Sequence, residues 1–164
     1  MSILVAAYSR DGHTSSVARA IAKELKADLD LIEDKRKRTG IWGYLFAGRA
    51  AMFKKRTEIA QSKDPLRYSL VVIGTPTWSY DITPAMRTYL MDNPLGPEGR
   101  KAGKNNSNKV AFFCTCGGNH GKVFETMMEL SRKPVATLRL TARQVDAGVY
   151  SEVKRFCERL AQRA

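Results

Sequence analysis

The chain has 164 residues, of which 43% are hydrophobic and 27% are charged, and this size suits one folded domain over residues 1–164. No apolar run approaches the roughly 20 residues that cross a bilayer, and the apolar start lacks the basic leader of a secretory signal, so we expect a cytoplasmic protein. The net charge of +12 is unusual and predicts attraction to acidic proteins, nucleic acid or anionic membranes.

The first part of the chain predicts a strand, a loop, a helix and a second strand. Residues 2–7 form a short apolar run, and a polar loop with one glycine follows at residues 9–14. Apolar residues then recur at helical spacing from Val17 to Leu25, and residues 28–32 form the second strand. Candidate N-terminal caps for this helix are Thr14, Ser15 and Ser16.

The rest of the chain continues the alternation. Further strands are predicted at residues 67–74, 109–115 and 135–141. Further helices are predicted at residues 84–91, 122–132 and 150–163, with a solvated loop at 93–108. This pattern indicates an α/β fold with a doubly wound parallel sheet of five strands, right-handed crossovers and helices on both faces.

The cysteines argue against a disulfide framework, because three is an odd number. Cys114 and Cys116 are separated by one residue and Cys157 is distant, a spacing that matches no common zinc site. We therefore predict free thiols and no metal centre.

Three loops, each after a predicted strand, contain the candidate binding residues. In an open parallel sheet, ligands bind beyond the carboxyl ends of the strands, where the strand order reverses. The candidates follow the first, third and fourth strands: Ser9, Arg10, Asp11, Gly12, His13 and Thr14; Thr75, Pro76, Thr77, Trp78 and Ser79; and Thr115, Cys116, Gly117, Gly118 and Asn119.

The first loop has the chemistry of a phosphate site. Backbone N–H groups and the N-terminus of the following helix present partial positive charge to a phosphate, and the hydroxyls of Ser9, Thr14 and Ser15 add donors. Asp11 opposes phosphate binding, because its carboxylate repels a phosphate.

In the third loop, glycines permit close backbone approach to a flat ring.

These loops resemble those of the flavodoxin family. Residues 9–14 resemble the flavodoxin phosphate loop, Thr/Ser-x-Thr-Gly-x-Thr, with Asp11 where most flavodoxins have a hydroxyl residue. Menaquinone-dependent protoporphyrinogen oxidase, a flavodoxin relative, also has Arg-Asp-Gly there. Residues 74–80 resemble the loop that packs an aromatic side chain, here Trp78, against the isoalloxazine ring, and residues 115–120 resemble the loop whose backbone contacts that ring. The resemblance implies FMN as the cofactor and the strand order 2-1-3-4-5.

Other doubly wound families fit the sequence less well. A phosphate-accepting response regulator needs acidic residues at the end of the first strand, where this chain has Ala6, Ala7 and Tyr8. A Walker loop and the dinucleotide Gly-x-Gly-x-x-Gly fingerprint are also absent from the sequence.

The sequence is compatible with three functions. The leading interpretation is an FMN electron carrier with an acidic redox partner, which needs no catalytic side chain. The first alternative is an FMN-dependent oxidoreductase of the NAD(P)H:quinone reductase or protoporphyrinogen oxidase type, for which His13 and His120 are candidate proton donors. The second is a basic docking module that has lost flavin, with Asp11 as the disabling residue.

An extended basic segment at residues 33–64 lies between the second and third predicted strands. Its apolar residues suit one helical face, so we predict a helix covering the sheet, with a helix that docks on a partner or on an anionic membrane as the alternative. These residues are Trp42, Leu45, Phe46, Met52 and Phe53. The sequence has no recognition-helix or base-stacking motif, so we do not expect nucleic-acid binding.

Overall fold

Six strands form one sheet in the order β3-β2-β1-β4-β5-β6. The computed structural model describes residues 2–35, 56–96, 108–148 and 150–163. The strands are β1 (Ile3–Tyr8), β2 (Asp28–Asp34), β3 (Ile59–Ala60), β4 (Leu70–Pro76), β5 (Lys109–Cys116) and β6 (Thr137–Thr141). The helices are α1 (His13–Leu25), α2 (Pro84–Asp92), α3 (Val123–Leu130), α4 (Ala142–Asp146) and α5 (Ser151–Arg163), with a short 3₁₀ turn at Pro65–Arg67.

The five parallel strands confirm the predicted order, because β2-β1-β4-β5-β6 corresponds to 2-1-3-4-5. The predicted count of five is wrong by one, since β3 adds a two-residue antiparallel strand beside the end of β2. Glu33 pairs with Ala60 and Asp34 with Ile59. So short an element has no periodicity to detect, and its pairing depends on where the chain returns to the sheet edge.

Both faces of the sheet are covered by helices. Side chains alternate across a strand, so Leu4 and Ala6 belong to one buried cluster and Val5 and Ala7 to the other. The first cluster includes residues of α2 and α3, and the second includes residues of α1 and α5. Burial on both faces explains why the central strands are nearly continuous apolar runs.

The predicted element ends differ from the observed ones in informative ways. Arg67 belongs to the 3₁₀ turn, so β4 begins later than predicted and continues through Pro76. The helix α4 was not predicted. It is a single turn closed by a capping box, in which the Thr141 hydroxyl accepts from the Gln144 backbone and the Gln144 side chain accepts from the Thr141 backbone.

The predicted caps of α1 are wrong. Gly12 is the N-cap, with a φ of 100° in the left-handed region, and it has no side chain with which to cap the helix. The hydroxyls of Ser15 and Ser16 instead donate to the Gly12 carbonyl, each at 2.9 Å. Thr14 turns its hydroxyl into the protein core.

The basic segment is described only at its two ends. At those ends, the Lys35 ammonium lies 2.7 Å from the Glu58 carboxylate and the Thr57 backbone donates to the Thr88 hydroxyl of α2 at 3.0 Å. The predicted helix with Trp42, Leu45, Phe46, Met52 and Phe53 lies outside the described residues, as do positions 97–107 of the predicted loop.

All three cysteines are free, as the sequence predicts, and the structure shows in addition that all three are buried. Burial raises the pKa of both Cys114 and Cys157 to about 12, so these thiols stay protonated at neutral pH. Among the helices that the structure describes, none is long and apolar enough to cross a membrane.

Candidate functional site

A cleft of about 380 Å³ lies beyond the carboxyl ends of β1, β4 and β5. The strand order reverses between β1 and β4, because the chain proceeds from β1 to β2 on one side and returns to β4 on the other. This is the position where doubly wound proteins bind ligands. The residues that line the cleft are Arg10, Asp11, His13, Pro76, Thr77, Trp78, Thr115, Cys116, Gly117 and Ala142.

The loop after β1 is held by hydrogen bonds within itself. The backbone N–H of Gly12 donates to the Ser9 hydroxyl at 3.2 Å. The backbone N–H of His13 donates to Oδ1 of Asp11, also at 3.2 Å. The φ of 100° at Gly12 is a conformation that few residues other than glycine adopt, so this glycine lets the chain turn sharply into α1.

Thr14 connects the first loop to the third. Its hydroxyl lies 2.7 Å from the hydroxyl of Thr115 at the end of β5, and both residues are buried. The hydroxyl predicted to meet a phosphate is therefore engaged inside the protein. This hydrogen bond joins the start of α1 to the strand whose end lines the cleft.

His13 lies between two carboxylates. Asp11 Oδ1 is 3.0 Å from its Nδ1, and Asp146 Oδ1 is 3.0 Å from its Nε2. The Asp11 carboxylate beside Nδ1 raises the pKa of His13 above its ordinary value of 6.5. Desolvation opposes this shift, and the contact with Asp146 supports it. His13 thereby links the first loop to α4.

Trp78 lies on the wall of the cleft and is partly buried. Its ring meets that of Tyr8 edge-on, with centroids 5.8 Å apart. The Arg10 guanidinium carbon lies 5.6 Å from the Trp78 ring centroid, within the range of a cation–π contact. A positive charge is thus placed beside the aromatic surface of the site.

Trp78 begins a tight turn that ends at Asp81. The two backbones exchange hydrogen bonds of 2.9 and 3.0 Å, and Ser79 and Tyr80 between them have φ values of 48° and 61°. Positive φ at residues other than glycine is strained and is found where the surroundings enforce it. Here the backbone N–H of Lys122 donates to the Tyr80 carbonyl at 2.7 Å.

Two further contacts fix this turn. The carboxylate of Asp81 forms a partly buried ion pair with the buried Arg87 of α2 at 2.9 Å. Gly121 packs so closely that an added Cβ would lie 2.2 Å from the carbonyl oxygen of Tyr80. The turn holds Trp78 at the cleft while Tyr80 remains 66% exposed.

The third loop is open at its glycines. A Cβ added to Gly117 or Gly118 would meet nothing within 4 Å. The Gly118 carbonyl accepts from Arg139 of β6 at 2.9 Å, and the Asn119 side chain accepts from the Gly121 backbone at 2.9 Å. The ring of His120 packs against Phe124, with centroids 5.1 Å apart.

The structure brings the three predicted loops together, although not every predicted residue lines the cleft. Seven candidates contribute to the surrounding backbone or to internal hydrogen bonds instead: Ser9, Gly12, Thr14, Thr75, Ser79, Gly118 and Asn119. Ala142 and Asp146 of α4 were missed as neighbours of the site. The Thr-x-x-Gln pattern at Thr141 and Gln144 is the sequence signal for that helix.

Comparison with known proteins decides the fold family. No protein-family model matches the sequence, and a search of curated proteins finds no match. Solved structures do match. One is a flavoprotein from Lactobacillus acidophilus in complex with FMN, which is 23% identical in sequence and superposes with a TM-score of 0.66. The match covers 89% of this chain and 97% of that chain. The fold is that of the flavodoxins.

Two further structures support this flavodoxin-like fold. Flavodoxin 2 from Bacillus cereus has 16% identity, with 100% of both chains covered and a TM-score of 0.57. A WrbA-like flavodoxin protein from Agrobacterium tumefaciens has 14% identity, with 98% of each chain covered and a TM-score of 0.59. The match to these structures therefore covers nearly the whole chain, and the cleft lies at the topological switch point of the sheet.

Proposed function

We propose that this chain binds FMN in the cleft and acts as an electron carrier. The observation that carries the proposal is the convergence of three loops with different chemistry at the switch point of a flavodoxin-like sheet. The first brings a helix N-terminus, the second brings Trp78, and the third brings Gly117. The flavoprotein from Lactobacillus acidophilus, which shares this fold, was solved with FMN.

The residues present fit such a cofactor. The cleft volume of about 380 Å³ falls in the range of roughly 300–1,000 Å³ found for small-molecule sites. Gly117 leaves open space for a flat ring, and Trp78 supplies an aromatic surface for offset or edge contact. The N-terminus of α1, which begins after Gly12, faces this part of the site, and its partial positive charge stabilises an anionic phosphate.

FMN, when bound, supplies electron transfer, and the protein supplies binding, orientation and electrostatics. Trp78 orients the ring through its rigid turn, and Cys116 and Thr115 form the floor on the β5 side. The Arg10 guanidinium beside Trp78 favours negative charge in the cleft. In this function, none of the described residues has to form or break a covalent bond.

The charge of the protein supports an acidic redox partner. A net charge of +12 attracts anionic surfaces and raises the rate at which they are encountered. Near the cleft, Arg10 and Arg139 contribute positive charge, and Arg139 belongs to the edge strand of the sheet. We propose that electrons pass between the flavin and an acidic protein docked over this edge.

A second candidate is an FMN-dependent oxidoreductase with a small substrate such as NAD(P)H or a quinone. The observation that favours it is the further open space at Gly118, next to Gly117, where nothing lies within 4 Å of an added Cβ. A small substrate needs open space beside the flavin ring. Rapid NAD(P)H oxidation that depends on an added quinone distinguishes this function from simple electron transfer.

Flavin binding is the first test. The purified protein, freed of flavin, is titrated with FMN and followed by flavin fluorescence and visible absorbance. We expect saturable binding with a Kd below about 1 μM, or about 8 kcal/mol. A chain that folds but takes up no FMN contradicts the proposal and supports the docking module instead.

A further inference from the structure

Asp11 occupies the position at which a phosphate group is expected to bind. Its Oδ1 accepts a hydrogen bond from the backbone N–H of His13 at 3.2 Å and lies 3.0 Å from Nδ1 of the same residue. The His13 N–H is the first of α1, so the carboxylate receives the partial positive charge of the helix N-terminus. Asp11 also lines the cleft.

The neighbouring donors are engaged in the same way. The Gly12 N–H donates to the Ser9 hydroxyl at 3.2 Å, and the far nitrogen of His13 contacts Asp146 at 3.0 Å. Two backbone donors of this loop, at Gly12 and His13, are therefore already engaged by one hydroxyl and one carboxylate. An incoming phosphate has to displace these acceptors or share their donors with them.

We propose that Asp11 is a specificity-determining residue that acts as an internal anion and lowers the preference of the site for FMN over riboflavin. This inference rests on the proposed flavin site. FMN and riboflavin share the ring and the ribityl chain and differ by the phosphate. Repulsion between Asp11 and a phosphate weakens only FMN, so the ratio of the two affinities reports on Asp11 directly.

Charge explains the expected size of the effect. A phosphate dianion and a carboxylate about 5 Å apart at the protein surface repel each other enough to change affinity about tenfold. Riboflavin lacks the phosphate charge, so its affinity is expected to change by less than about twofold. The repulsion between exposed groups is screened by salt, and Asp11 is 62% exposed.

The test measures the Kd of FMN and of riboflavin for four proteins: wild type, Asp11→Asn, Asp11→Ser and Asp146→Asn. Asp11→Asn removes the charge while an amide oxygen still accepts from His13, and Asp11→Ser restores a hydroxyl. Asp146→Asn is the matched control, because it removes an equal charge from the other side of His13, away from the helix N–H. Melting temperatures without flavin check that all four proteins fold.

The expected result is a preference for FMN over riboflavin that rises about tenfold in both Asp11 variants and less than about threefold in Asp146→Asn. This rise in the preference for FMN should become smaller as the salt concentration increases from about 0.01 M to about 1 M. A purely structural role of Asp11 would not produce such a salt dependence. An unchanged ratio in both Asp11 variants, or an equal rise in Asp146→Asn, overturns the inference while the FMN site stands. Failure of all four folded proteins to bind either flavin overturns the proposed function, and this inference with it.

Discussion

The hydroxyl of Thr14 lies 2.7 Å from the hydroxyl of Thr115, and both side chains are buried. This bond joins the first turn of α1 to the end of β5, two elements that both contribute to the cleft. The sequence predicts that Thr14 binds ligand, but in the structure Thr14 fixes the distance between two walls of the site.

Replacing Thr14 with valine should destabilise the protein by about 1–3 kcal/mol, because the Thr115 hydroxyl is then buried without this partner. The double variant Thr14→Val with Thr115→Val should cost less than the sum of the single changes by at least about 0.5 kcal/mol. Urea unfolding of the four proteins measures this coupling. Thr137→Val, at an exposed position on β6, is the control and should change stability by less than about 0.5 kcal/mol. Additive single and double effects would show that the hydrogen bond contributes nothing.

Gly121→Ala should destabilise the protein by about 2 kcal/mol or more, because Gly121 has a φ of 57° and an added Cβ would lie 2.2 Å from the Tyr80 carbonyl oxygen. The turn that holds Trp78 should shift, which intrinsic tryptophan fluorescence detects. Gly117→Ala is the matched control: with no positive φ and nothing within 4 Å, it should change stability by less than about 1 kcal/mol. Equal stability of the two variants would contradict the role assigned to Gly121.

Trp78→Ala should weaken FMN binding by about tenfold, because the aromatic contact and the apolar wall are both lost. Trp78→Phe keeps an aromatic ring and should lose about threefold or less. Fluorescence titration with FMN measures both values. If Trp78→Ala binds FMN as tightly as the wild type does, the ring does not lie against this wall.

His13 should make stability depend on pH. Its pKa is raised above 6.5 in the folded chain, chiefly by the neighbouring Asp11 carboxylate. The stabilisation is therefore fully present below pH 6.5 and is lost as the pH rises through the folded-state pKa. NMR titration of the His13 ring over about pH 5 to 8 should give a value above 6.5 that falls in Asp11→Asn and in Asp146→Asn. A pKa that neither substitution lowers would contradict the contacts described for His13.

Electron exchange with small ions should reveal the positive surface. The flavin-loaded, reduced protein should be oxidised by anionic ferricyanide at a rate that falls as salt rises from about 0.01 M to about 1 M. Cationic hexaammineruthenium(III) is the matched probe, and its rate should rise or stay constant with salt. Stopped-flow absorbance measures both rates. The same salt dependence for the two probes would show that the charge of +12 does not act at the cleft.

The sequence predicts the architecture because each central strand is an apolar run between polar loops, and helical spacing marks the intervening helices. It predicts the location of the site for the same reason, since residues after β1, β4 and β5 must meet at one edge of a parallel sheet. It does not predict β3, whose two residues pair only because the chain returns beside Asp34.

The orientations of individual side chains in the site are less predictable. Whether Thr14 faces the cleft or the core depends on how α1 is rotated against β5, which is a tertiary property. Asp11 lies against the helix N-terminus because His13 and Asp146 hold that arrangement, and Asp146 is distant in sequence. The helix α4, in contrast, has a signal in the sequence, which is the capping pattern at Thr141 and Gln144.

The assignment of the cleft as the cofactor site is tested most directly by locating bound FMN. Titration of the ¹⁵N-labelled, flavin-free protein with FMN should shift the backbone amide signals of Arg10 to His13, of Thr77 and Trp78, and of Cys116 and Gly117, and should saturate with a single FMN. The groove lined by Leu138, Glu152 and Arg155, between β6 and α5, should stay unaffected. Shifts confined to that groove, or none at all at saturating FMN, would contradict the assignment of the cleft as the cofactor site.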